Sequence, residues 1–173
     1  MIQQKDIQLP FLAHGVTQVA WVVEDLEKAV EMQHRLFGIG PWHFYLYDRE
    51  LLSMMRIHGK DAEFAMDSAV ANAGETRLEI VQPLSGNTIH DEFARKNGYG
   101  KVHHFGLAVD NMAESLDLAR RAGFTVIMEG SGYGLDGDGH FAYLDTEDTY
   151  GITLELMERP KRRRTPRKIF PAL

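Results

Sequence analysis

Two stretches decide the fold: Gln18–Phe37 (QVAWVVEDLEKAVEMQHRLF) and His104–Gly123 (HFGLAVDNMAESLDLARRAG), 86 residues apart. Each opens with a short apolar run, VAWVV or FGLAV. Each passes through an acid to a helix N-cap residue, Asp25 or Asn111, whose side chain can accept a hydrogen bond from the free amides of a first helical turn. Leu26, Ala29, Val30 and Leu36 fall on one face of the first predicted helix. Met112, Ser115, Leu116 and Ala122 fall on the matching face of the second. Gly38 and Gly123 stop the two helices, because glycine adopts the left-handed C′ conformation at little cost. Few identities are shared, yet the order of strand, cap, helix and glycine recurs, and such recurrence marks an internal repeat.

Working outward, each helix is followed by three strand signals. In the first half these are PWHFYLY (41–47), a stretch near Glu63–Ala71, and TRLEIVQP (76–83). In the second they are FTVIME (124–129), HFAYLD (140–145) and GITLELME (151–158). Both halves therefore read β-α-β-β-β, as modules of about 14–83 and 102–158. A linking helix over 85–97 (SGNTIHDEFARKN) ends at Gly98. The Gly-rich segment 130–139 is a hairpin loop; Asp136 and Asp138 echo a calcium loop, but the closing glutamate of an EF-hand is missing. A βαβββ unit leaves one face of its sheet uncovered. Two units side by side close into a cupped, barrel-like mixed sheet with helices outside and a cavity inside, an α+β architecture. Residues 1–160 form one domain in this reading, and 161–173 a basic tail.

Composition bounds the function classes. At 44% hydrophobic and 25% charged the chain is globular, and it has no apolar run long enough to span a bilayer. The N-terminus lacks the pattern of a secretory signal, and the cytoplasm is the expected compartment. With no cysteine, a metal would need His, carboxylate, amide or water ligands. The net charge of −6 is unevenly spread: residues 161–173 (KRRRTPRKIFPAL) hold six basic residues and no acid, leaving 13 basic against 25 acidic before them. An acidic body argues against nucleic acid as partner. The tail is expected to be a solvated arm, or to lie on the acidic body of its own or a partner subunit.

Strand alternation sorts side chains between helix and cup. Bulky residues 19, 21 and 23 pack beneath the first helix, which turns Gln18 into the cup. Leu78 and Ile80 face the helix, leaving Glu79 inward; Leu154 and Leu156 do the same for Glu155. Phe105 and Leu107 pack outward, and His104 faces the cup, with His103 on the opposite pleat. A single Glu in such a strand ordinarily faces solvent, and a single strand His is ordinarily structural. The signal is the symmetric recurrence: each module offers one polar side chain at the start of its first strand and one acid within its last. Residues 42, 44 and 46, or 43, 45 and 47, line the cup, implying a bulky, partly aromatic or apolar ligand, and His140 and Tyr143 reach the same space.

The paired modules resemble the vicinal oxygen chelate superfamily, which includes glyoxalase I, methylmalonyl-CoA epimerase, extradiol dioxygenases and bleomycin-resistance proteins. The resemblance covers about 14–158. KVHHFGLAVDNMAESLDLARRAGF and the later GITLELMERP are similar to the corresponding part of methylmalonyl-CoA epimerases. The family's metal-ligand positions correspond to Gln18, Glu79, His104 and Glu155, which implies one divalent ion: zinc, nickel, cobalt or manganese. Gln at the first position breaks the extradiol dioxygenase pattern, since non-haem iron sites favour two histidines and one carboxylate. The resemblance then implies an isomerase, epimerase or lyase that removes a proton next to a carbonyl and stabilises the enolate on the metal, with a CoA thioester among the candidate substrates. Glu155 would move the proton, and Glu63 stands near a second glutamate of the epimerases. Gln-Glu-His-Glu matches the glyoxalase I set, so a lactoylglutathione lyase is an alternative, as is a metal-free small-molecule binding or resistance protein. The family also implies a homodimer.

Overall fold

A computed structural model of the protein describes residues 7–172. The first module runs β1 (Gln18–Val22), α1 (Leu26–Phe37), β2 (Trp42–Tyr47), β5 (Ala65–Ala73) and β6 (Thr76–Ser85), with a hairpin, β3 (Met54–Ile57) and β4 (Lys60–Asp61), inserted after β2. The second runs β7 (Lys101–Ala108), α3 (Met112–Arg121), β8 (Val126–Ser131), β9 (His140–Leu144), the single turn α4 (Glu147–Tyr150) and β10 (Thr153–Glu158). Between them lies α2 (Ile89–Asn97), and the tail adds β11 (Lys168–Phe170). All strands join one mixed sheet in the order β11-β2-β5-β6-β1-β7-β10-β9-β8-β3-β4.

The expected caps form. Asp25 accepts from the Lys28 amide and Asn111 from the Glu114 amide. The linking helix is shorter than 85–97. Ser85 stays in the sheet opposite Ala65, and the helix starts only after Thr88, which exchanges hydrogen bonds with Asp91 in a capping box. Gly86 makes the turn between sheet and helix. Its φ is +96°, and an added Cβ would stand 2.4 Å from the Glu63 carbonyl oxygen, so only glycine fits. Leu36 is a correction to the helix reading: it is 60% exposed. At about 100° per residue it sits about 80° round the helix from Leu26, at the edge of the apolar stripe.

Three apolar clusters follow from the alternation. Under α1, Leu26 and Val30 meet Trp42, Phe44, Ala69 and Ile80. Beneath α3, Met112, Leu116 and Ala119 meet Leu107, Ala142, Leu144 and Leu156. The third fills one end of the cup itself: Met66, Val81, Met128, Phe141 and Tyr143, with Leu52 and Met55 from the inserted segment and Ile89 from α2. The insertion belongs to the first module but pairs through β3 with β8 of the second. The tail lies on the body of its own chain. Lys168–Phe170 pair with Trp42–Phe44, Arg167 meets Asp67, Lys168 meets Glu27 and Arg162 meets Asp136. Residues 159–168 thereby form a strap from the second module's Gly-rich loop to the first module's edge. No helix among the described residues is long and apolar enough to cross a membrane.

Leu156→Ala removes a fully buried side chain at the α3 face and is expected to cost about 2–5 kcal/mol of unfolding free energy. Leu36→Ala, on the exposed edge of α1, should change it by less than about 0.5 kcal/mol. Urea titration of both variants checks the assignment of the stripe.

Candidate metal centre

The two modules meet where β1 pairs antiparallel with β7, and each of those strands pairs parallel with the last strand of its own module. The register lays two rows of side chains across the four central strands. One row is Glu79–Ala20–His104–Thr153, and the other is Arg77–Gln18–Gly106–Glu155. Each row puts a very small residue between two candidate ligands: Ala20 separates Glu79 from His104, and Gly106 separates Gln18 from Glu155. A Cβ on Gly106 would stand 2.7 Å from the Gln18 Cβ and 3.2 Å from Glu155 Oε2. Ala20 and Gly106 therefore leave the space into which the flanking polar groups converge.

All four predicted side chains do converge, and all are buried. Gln18 Nε2 donates to Glu79 Oε2 at 2.8 Å and to Glu155 Oε2 at 3.1 Å. His104 Nε2 lies 3.3 Å from Glu79 Oε2 and 3.4 Å from Glu155 Oε2, with no hydrogen bond of its own. Ser68, not foreseen from the sequence, donates to Glu79 Oε1 at 2.6 Å. Ligand atoms each about 2.0–2.2 Å from one ion stand about 2.9–3.5 Å from one another, and the observed separations span that range. Half a turn of the Gln18 amide brings Oε1 to the place of Nε2. Three oxygens and one nitrogen, two of them anionic, fit a divalent cation.

Other expected residues stand elsewhere. Glu63 is not brought to the cluster; its carboxylate is 79% exposed and lies 3.9 Å from Arg49. Glu63 sits on the loop before β5, ahead of the β5–β6 pairing whose register turns Glu79 inward. Tyr143 reaches the cup, with its ring 5.0 Å from that of His104. His140 does not: three residues away on the same strand, it faces the other side, where Glu129 Oε2 is 3.0 Å away. Of the segment 42–47, Tyr45 and Tyr47 line the cup, while Trp42 and Phe44 pack under α1.

His103 departs from simple alternation. The register slips beside it, where Ala20 pairs with His104 but Trp21 already with Val102. Such a bulge lets neighbouring side chains turn the same way. His103 Nδ1 meets His104 Nδ1 at 2.8 Å, and its ring packs on His90 and Phe93 of α2. One of the two Nδ1 atoms must carry the shared proton. When it is on His104, Nε2 keeps a lone pair directed at the carboxylates. His90 is fully buried with both ring nitrogens unpartnered; burial and the His104 charge hold its pKa well below the ordinary range. Spacing from the modules offered no signal for His90, since it arrives on the linking helix.

The electrostatics separate the two carboxylates. Burial raises the pKa of Glu79, but the nearby charge of His104 and the hydrogen bond from Ser68 outweigh it and bring the value below normal. Burial and the Glu79 charge leave Glu155 above normal. For His104, burial alone would lower the pKa, but Glu155 and Glu79 raise it to about 9.

The sequence model of the glyoxalase/bleomycin resistance protein/dioxygenase superfamily matches residues 17–143. The chain belongs to this superfamily. A mouse relative, methylmalonyl-CoA epimerase, mitochondrial, is 25% identical over 141 residues, which cover 82% of this chain and 71% of the relative. Among solved structures, methylmalonyl-CoA epimerase from Mycobacterium tuberculosis superposes with a TM-score of 0.61 at 19% identity, over 83% of this chain and 87% of that one. A Streptomyces coelicolor methylmalonyl-CoA epimerase variant in complex with 2-nitronate-propionyl-CoA gives 0.58 at 18% identity, over 86% and 96%. These structural likenesses establish the shared cupped fold.

Without a bound ion, the folded chain holds the His104 proton up to about pH 9, whereas an unfolded histidine releases it near 6.5. The stabilisation is full below pH 6.5 and is lost as pH rises through 9. The thermal midpoint in excess chelator should fall across that window, and His104→Gln should flatten the slope; calorimetry at several pH values checks this.

Proposed function

We propose that this protein is a divalent-metal-dependent isomerase, epimerase or lyase that moves a proton next to a carbonyl, and that Gln18, Glu79, His104 and Glu155 hold the ion. The observation that carries the reading is the convergence of these four buried polar groups from four separate strands, at ligand spacing, around room kept by Ala20 and Gly106. When bound, the ion supplies Lewis-acid polarisation of a carbonyl oxygen. The epimerases among the relatives support this class of chemistry, and the donor set leaves zinc, nickel, cobalt and manganese as candidates.

The chain's own residues divide the remaining work. Glu79 is pinned by Ser68, Gln18 and His104, and its lowered pKa keeps it an anion. Glu155 has fewer anchors and a raised pKa, so it is the carboxylate suited to take a proton from the carbon beside the carbonyl and return it. Environments that push two carboxylates apart in pKa commonly separate an acid–base role from a holding role. The Tyr143 hydroxyl lies beside Glu155 and lowers its pKa, limiting the upward shift. His103 is a positioning residue: its Nδ1 orients the His104 ring and sets which nitrogen carries the proton. The cluster of Met66, Val81, Phe141 and Tyr143 closes one end of the cup against water. Both modules lie in one chain, so the four side chains meet without a second subunit. A metal-free binding role would leave the buried convergence without a purpose.

Metal analysis of the purified protein is expected to find one divalent ion per chain, and Glu79→Ala to lose it. Glu155→Gln should retain metal while slowing solvent deuterium incorporation into a carbonyl substrate about 10²–10⁴-fold. Full metal content in Glu79→Ala would sink the ligand assignment. A screen of CoA thioesters against 2-oxoaldehydes with glutathione separates the epimerase from the lyase reading.

His103→Phe is expected to weaken metal affinity about 10–100-fold through loss of the orienting contact. Competition with a chromophoric chelator measures it; an unchanged affinity would leave His103 a packing residue.

A further inference from the structure

The strap lies beyond the superfamily match, which ends at Tyr143, and it divides the open end of the cup into two spaces. The inner space, about 40 Å³, is lined by Gln18, Glu79, Glu155 and Tyr143. The outer one, about 270 Å³, is walled by Arg164, Thr165 and Arg167 of the strap. Tyr45, Tyr47, Tyr133 and Arg163 line both spaces and so form the partition between them. One water takes about 30 Å³, so the inner space holds little more than that. Ligand pockets commonly run to about 300–1,000 Å³. A carbonyl compound can reach the four-residue cluster only if the partition moves and the two spaces become one.

Three members of the partition are braced. Tyr45 and Tyr47 belong to β2, and the Tyr133 hydroxyl donates to the Glu158 carbonyl at 3.2 Å. Arg163 instead sits on a segment held at its ends and loose between them. At one end the Leu135 amide donates to the Arg162 carbonyl at 3.0 Å, and Arg162 pairs with Asp136. At the other the Arg167 amide donates to the Phe44 carbonyl at 2.9 Å, and β11 begins. Among the described residues, Thr165 and Pro166 make no backbone hydrogen bond. β11 is three residues long, lies outermost in the sheet and pairs with β2 alone, so it can leave without breaking another strand pair. Its ion pair to Glu27 is exposed and contributes little. Its firmest anchor is Phe170, which packs into the cluster under α1 and meets the His34 ring edge-on at 5.5 Å. Charge opposes closure: burial first, then the charges of Arg163 and Arg159, lower the pKa of Arg77, and Glu79 answers only part of this.

We propose that residues 163–170 form a lid on the cup, closed in this structure and opened by release of β11 from β2. Opening withdraws Arg163 from the partition and joins the inner and outer spaces. Closing again shuts water out while a proton is moved. What enters rests on the function proposed above; the gating rests on the geometry alone.

The test is thiol labelling in the full chain. The protein has no cysteine, so Val70→Cys puts a single thiol on the wall of the inner space. Its alkylation by iodoacetamide should run at least about tenfold slower than in the urea-unfolded chain. Adding Phe170→Ala should speed it about tenfold or more. Adding Arg167→Gln, which removes the contact with Asp67 and leaves the apolar anchor in place, should speed it about two- to fivefold. Ala119→Cys, buried under α3, reports general loosening and should react no faster with either change. A Val70→Cys thiol that reacts as fast as in the unfolded chain would overturn the lid. So would a rate that ignores both strap substitutions, or one that rises equally at Ala119→Cys. No metal or substrate enters the experiment, so a gated thiol in a protein that takes up no metal would support the lid while removing the metal reading.

Discussion

The antiparallel pairing of β1 with β7 is the constraint on which the rest depends. It sets Gln18 opposite Gly106 and Ala20 opposite His104. With the parallel pairings to β6 and β10, it brings residues 18, 79, 104 and 155 within hydrogen-bonding reach. A one-residue slip in that register would turn every one of these side chains to the helix face. The apolar clusters under α1 and α3 oppose such a slip, because it would bring Ile80, Leu107 and Leu156 out of their packing and into the cup. Packing on the outer face therefore fixes polar geometry on the inner face.

Burying two carboxylates, an amide and an imidazole is costly unless each is answered. Here they answer one another, with Ser68 added to Glu79 and His103 to His104. The arrangement is pseudo-symmetric in backbone and asymmetric in chemistry. Gln18 and His104 occupy equivalent positions, as do Glu79 and Glu155, yet only Glu79 receives a serine. Glu79 lies below its ordinary pKa through His104 and Ser68, and Glu155 above it through burial and the Glu79 charge, so a symmetric scaffold holds two unlike acids.

Elements from outside the repeat shape the cup. The β3–β4 hairpin leaves the first module to edge the second, α2 contributes Ile89 and His90 to the interior, and the strap adds Arg163 at the open end. One end of the cup is thereby filled with apolar side chains, and the other is lined by tyrosine and arginine. The polarity gradient runs through the four-residue cluster at the middle.

The repeat, the caps of α1 and α3, the β-α-β-β-β succession of each module and the inward face of Gln18, Glu79, His104 and Glu155 were legible in the sequence. They depend on periods of 2 and 3.6 and on short-range hydrogen bonds, which adjacent residues specify. Tertiary structure alone decided what the local pattern does not encode. The bulge turns His103 beside His104, and Ser68 reaches Glu79 from a neighbouring strand. His140 and Glu63 are left outside the cup, and the basic tail returns across its mouth. Each of these depends on which strands lie side by side and on the balance of packing between distant segments, a property of the whole sheet that no window of neighbouring residues contains.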